Sequence, residues 1–181
     1  MQDTSRLVEL NIEFLEQGKE LIPEVTDSVF TACNKPVYPS GAGEHFRHII
    51  EHYQLFLSGI GSDLLDYDAR NRDTRIACDR SFACSVITDV QRGLAEIPST
   101  DRQVRVKMAA SPDADTDAPL STSTLCRELE YLQTHTVHHY ALIAMILRLQ
   151  SVEPNANFGV APSTLQHRTI SASSAPLSQR A

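Results

Sequence analysis

Apolar residues recur along this chain with a period near 3.6 in four stretches, and polar or turn-forming segments separate them. Leu7, Leu10, Ile12, Leu15, Leu21 and Ile22 predict a helix over residues 5 to 31, with Pro23 as a kink or a restart. The run 34–41 holds two prolines and a glycine and predicts a loop. Phe46, Ile49, Ile50, Tyr53, Phe56, Leu57 and Ile60 predict a second helix over 42 to 62, with Glu44 favourably placed in its first turn. Residues 63 to 75 are polar and charged and read as a connection. A third helix is predicted over 81 to 97 from Phe82, Val86, Ile87, Val90, Leu94 and Ile97, ended by Pro98. Alternation in 103–108 predicts a short strand, and 119–122 a returning partner across a loop at 111–117. The fourth helix, over 123 to 150, carries the stripe Leu125, Leu129, Leu132, Thr136, His139, Ile143 and Leu147. That register places His139 in the middle of a buried face, His135 at its edge and His138 further away.

This pattern predicts an all-α fold, a four-helix bundle, with a small β-hairpin before the last long helix. Beyond Pro154 the chain turns rich in Asn, Pro, Ser and Ala, so we expect a single domain over residues 1–168 and a disordered tail over 169–181. A length of 181 residues suits one domain with a sizeable core. The formal net charge of -7 argues against nucleic acid and against an anionic membrane as partners. No signal peptide and no membrane-length apolar run is visible, from which we expect a cytoplasmic protein. Cys33, Cys78, Cys84 and Cys126 form no CxxC pair and are expected to be reduced, packed as small hydrophobes.

Chemistry concentrates in the histidines. Six of the seven fall in two clusters, His45, His48 and His52 in the second helix and His135, His138 and His139 in the fourth; His167 stands alone in the tail. Spacings of three and four put side chains on one helical face. His135 and His139, four apart, can both reach one ion, while a third ligand must come from the first cluster. Periodicity alone does not choose among His45, His48 and His52. Three imidazoles plus water make an open catalytic metal site. Ligand type does not fix the ion: Zn or Ni lead, and Mn, Fe or Co also suit such a site. Thr136 follows His135, so the HExxH form is absent, and the motif supplies no general base.

At these residues the chain resembles the DinB/YfiT-like superfamily of metal-dependent proteins. The pieces that carry the resemblance are the run 43–53 around His45, His48 and His52, then 67–72, then Arg127-Glu128-Leu129 with 134–140, and last 158–164. The resemblance implies a four-helix bundle with one long cross-connection. It also implies one divalent metal held by His48, His135 and His139, with His48 chosen because apolar residues follow it. It further implies S-transfer or isomerisation that uses a low-molecular-weight thiol; with the open three-histidine site, we expect a thiol-dependent S-transferase or a hydrolase acting on a small-molecule substrate. A non-catalytic, stress-related module that binds metal or a small ligand is the alternative. A homodimer through exposed helix faces is expected.

Further groups join the picture. Arg47, Arg70, Arg72 and Arg127 could rim the pocket and recognise carboxylates, or serve in ion pairs such as Arg127 with Asp68 or Glu51. Tyr53 and Tyr140 could donate to a ligand, although packing is the ordinary role of a tyrosine there. The segment 158–164 reads as a lid or as a structural strap.

Overall fold

The computed structural model describes residues 3–109 and 119–174. Helix α1 (Ser5–Glu24) ends just beyond Pro23, and Val25 is extended. A separate short helix, α2 (Asp27–Thr31), then starts where the Thr26 hydroxyl accepts the Val29 N–H. One continuous helix to residue 31 is therefore replaced by two. Helix α3 (Ala42–Ile60) opens with the Gly41 N–H bound to the Glu44 carboxylate at 3.0 Å. Helix α5 (Arg80–Ala95) opens on Asp79, whose side chain accepts from Phe82 N. Between them lies α4 (Thr74–Cys78), capped by Asp73. Helix α6 (Leu125–Leu149) opens on Thr124, and α7 covers Pro162–Ser174.

The fold is mixed α/β, which corrects the expected all-α four-helix bundle. Among the described residues, seven helices accompany a three-stranded sheet in the order β1–β2–β3, made of β1 (Leu64–Asp66), β2 (Gln103–Lys107) and β3 (Leu120–Thr124). β2 and β3 pair antiparallel, with Arg105 opposite Thr122. β1 pairs parallel to β2, with Leu65 opposite Val106. The polar run 63–75 concealed β1 because three residues are too few to show alternation, and its partner lies some forty positions away. Val104 and Val106 point inward from β2 onto the helices. The expected loop at 111–117 lies outside the described residues.

The long helices α1, α3, α5 and α6 form the packing frame, and each touches two of the others. Leu15, Ile22, Phe46, Ile50, Phe56 and Leu129 are among its fully enclosed side chains. A polar thread crosses this core. Asn11 donates to the carbonyls of Leu7 and Leu129 and accepts from the Tyr53 hydroxyl at 2.7 Å, and Tyr53 also meets Thr136. Each group so buried is satisfied, as interior polar atoms must be. Gly43 lets α4 approach α3: a Cβ there would stand 2.1 Å from the Ala77 carbonyl oxygen.

The buried stripe of α6 runs through Leu125, Leu129, Leu132, Thr136, Tyr140, Ile143 and Leu147. Tyr140, not His139, occupies the central place. Steps of three and four both satisfy the helical period after Thr136, and the larger aromatic takes the core. His135 and His139 are left half-buried on the flank, facing α3. The segment after Pro154 packs on the same helix. Phe158 stacks on Tyr140 with ring centroids 4.4 Å apart, and Gly159 (φ +70°) lies against the backbone of Tyr140 and Ala141. It is a strap on the core. Helix α7 carries order past the expected boundary at 168, and residues 175–181 lie outside the described part. Cys33 and Cys78 are exposed and only Cys126 is buried, so packing as small hydrophobes does not describe the four cysteines. No helix among the described residues is long and apolar enough to cross a membrane.

Candidate metal centre

Helices α3 and α6 lie side by side, and each turns one histidine-bearing flank toward the other. His48 and His52 stand one turn apart on α3, as do His135 and His139 on α6. The result is a continuous cluster of rings. His48 and His135 form its centre, their Nε2 atoms 3.0 Å apart. On one side His52 lies 4.6 Å from His48 and 4.3 Å from His135, centroid to centroid. On the other side His139 lies 4.6 Å from His48 and 4.5 Å from His135. His48, His52 and His135 each offer a ligating atom within 4.8 Å of the other two. His139 directs its Nδ1 to Nδ1 of His45 at 2.9 Å. His138 is exposed, and His167 is exposed on α7.

The central His48–His135 distance suits coordination. Bonds of about 2.0–2.1 Å to a tetrahedral ion place ligand nitrogens about 3.3 Å apart. The observed 3.0 Å needs a shift of only a few tenths of an ångström. The rings are also in the right charge state. Burial, then the charges of Arg70, His45 and Arg47, lowers the pKa of His48 to about 4. Burial and then His48 and Arg70 lower that of His52 to about 3. His135, buried among His52, His139 and His48, falls to about 2, and His139 to about 3. His45 is shifted down as well, chiefly by burial and partly offset by Glu44. Neutral imidazoles are what a metal requires.

A polar wall supports the α3 side. Tyr67, the first residue after β1, stacks on His52 at 5.3 Å with an interplanar angle of 20°. Its hydroxyl donates to the Glu128 carboxylate at 2.9 Å, and Ser123 donates to the same group at 2.6 Å. The Tyr131 hydroxyl lies 3.5 Å from His52 Nδ1. Burial and then Glu128 hold the Tyr67 phenol far above its usual range, so it stays a donor. Sequence reasoning missed Tyr67, Glu128 and Tyr131. For Tyr131 a signal was present: with His135 and His139 it makes a series spaced by four.

On its outer side the cluster opens into a shallow cleft of about 280 Å³ lined by Ser40, Glu44, His45, Arg47, His48, Arg70 and His139. Larger clefts exist, one of about 370 Å³ beneath the Phe158 strap, but none of these gathers converging imidazoles. The other expected groups are dispersed. Arg72 and Arg127 are exposed. Asp68 and Glu51 are engaged by the backbone N–H groups of Ala109 and Asp73. Tyr53 and Tyr140 belong to the core.

Comparison with known proteins does not support the DinB/YfiT-like assignment. No family model matches the chain. A curated protein similar to it is described as FK506-binding protein 5, from Rhizopus delemar, 34% identical over 105 residues, which are 58% of this chain and 27% of that protein. The chain thus spans about a quarter of that relative's length, and the similarity points away from the expected superfamily. No solved structure matches. The resemblance rested on short pieces and on histidines spaced by three and four. The helical period imposes that spacing on any helix with an imidazole-lined flank, whatever its ancestry.

Proposed function

We propose that this protein binds one divalent transition-metal ion through its imidazole cluster and acts through that ion on a small-molecule substrate. The carrying observation is the convergence of His48, His52 and His135, one ligating atom each within 4.8 Å, on two helices that share a buried face. Three neutral nitrogen donors suit Zn or Ni first, with Mn, Fe and Co as further candidates. Three protein ligands leave a coordination position open, as catalytic sites do. An ion held by His48, His52 and His135 would supply a Lewis acid able to activate a water or a thiol near neutral pH. Hydrolysis and thiol transfer are therefore separated by turnover with and without an added thiol. Metal bound without turnover in either assay would indicate a binding module.

A second reading replaces His52 with His139. It draws on the triangle of His48, His135 and His139 rings, whose centroids are 4.5–4.8 Å apart, much as in the first set, and it requires the His139 ring to turn from His45. Elemental analysis after stripping and reloading with Zn or Ni tests both readings. Wild type is expected to retain about one equivalent and His135→Ala less than a tenth of that. The third ligand is whichever of His52→Ala and His139→Ala loses metal by more than tenfold. Negligible metal in the wild type would end the proposal.

A further inference from the structure

Arg70 reaches the cluster from the segment between β1 and α4. Its Nη1 lies 2.6 Å from His48 Nδ1. A guanidinium only donates, so His48 Nδ1 is the acceptor here. The neutral ring then carries its proton on Nε2, the atom that faces His135 Nε2. His135 accepts that proton's hydrogen bond and keeps its own proton on Nδ1, a buried atom with no hydrogen-bond partner. This arrangement satisfies Arg70 but occupies both central Nε2 atoms. A neutral His48 that held an ion through Nε2 would carry its proton on Nδ1 and could no longer accept from Arg70, whose guanidinium would have to turn away.

The place it turns to is set by the cleft that it already lines. Arg47 lines the same cleft from α3, and its Nε is buried without a hydrogen-bond partner. Among the described residues neither arginine is in an ion pair. The nearby Glu44 carboxylate is held by the Gly41 N–H at the start of α3. Two guanidinium groups in a cleft that His48 also lines are suited to a bidentate oxyanion.

We infer that Arg70 and Arg47 form an anion subsite for a carboxylate or phosphate group of the ligand, opened when an ion binds His48 and displaces Arg70. This rests on the metal reading above. The segment bearing Arg70 is anchored at both ends, at Tyr67 by Glu128 and at Asp73 by Glu51, so the guanidinium can swing while its backbone stays.

Cobalt(II), loaded stoichiometrically with no free metal, serves as a visible probe, and inorganic phosphate and acetate are titrated as the two anion types. The expected result is a change in the cobalt d–d bands with at least one anion. Its affinity should be at least tenfold weaker in Arg70→Gln, while cobalt binding is equal or tighter. Arg47→Gln should weaken the anion as well, and Arg70→Lys should retain part of it if Arg70→Gln folds poorly. Calorimetry on metal-free protein should show at least tenfold weaker anion binding. Anion affinity unchanged by Arg70→Gln, or equal with and without cobalt, or undetectable for both anions on cobalt-loaded wild type, overturns the subsite. Failure of cobalt to bind overturns the metal reading instead.

Discussion

His52 is only 6% exposed, and its neighbours His48, His135 and His139 are half-buried in mutual ring contact. Keeping four imidazoles neutral in this way couples folding to pH. Their folded pKa values lie between about 2 and about 4, against about 6.5 in an unfolded chain. Below pH 6.5 the unfolded chain takes up protons that the folded one refuses. Stability is therefore full above pH 6.5 and falls steadily toward pH 4. The metal-free protein should show a lower urea midpoint at pH 5 than at pH 7.5, and His52→Leu should flatten that slope. A midpoint that is the same at both pH values would mean the rings are not held neutral. The two histidine clusters and their helical spacing were legible in the sequence, but the side each ring faces was not. His139 and Tyr140 both continue the stripe after Thr136, and only packing against Phe46 and Phe158 decides for the tyrosine. His45, His48 and His52 share one flank, so spacing could not rank them; opposite them, α6 sets His135 against His48 and His139 against His45.

Among the elements, α3, α5 and α6 were readable because long amphipathic helices repeat their signal over several turns. β1 and α4 were not, being three and five residues long, with their reasons for existing elsewhere in the chain. Yet the segment between them carries both Tyr67 and Arg70, and Glu128 at the start of α6 is what fixes its first residue. Glu128→Ala would leave the Tyr67 hydroxyl buried without its acceptor, a loss of about 1–3 kcal/mol. Tyr67→Phe removes the donor too, so the double variant should be less destabilised than the sum of the singles. Urea denaturation of the four proteins measures this directly, and strictly additive losses would show that the two groups do not interact. Because Tyr67 stacks on His52, metal affinity should also fall in Glu128→Ala.

Across the whole molecule, the proposed ligands come from two helices that are about eighty positions apart in sequence and adjacent only after folding. His48 belongs to α3, which also touches α1's partner α5 and the strand β1; His135 belongs to α6, which closes the frame against α1. An ion bound between them would join elements from both halves of the chain, and an unfolded chain offers no such convergence. Binding to the folded state alone stabilises it by about 2.7 kcal/mol when free metal is a hundredfold above the dissociation constant. For a chain of this length that corresponds to a rise in Tm of about 5–11 °C. Zn or Ni added to the stripped protein should give such a shift in a thermal melt, and chelator should reverse it. The decisive control is His48→Ala combined with His135→Ala. This variant loses the central pair while keeping the core residues Phe46, Ile49, Ile50, Leu132 and Thr136 on either side of it. It should melt at one temperature with or without metal. A metal-induced rise of similar size in this variant would place the ion elsewhere on the surface and detach the stabilisation from the α3–α6 interface.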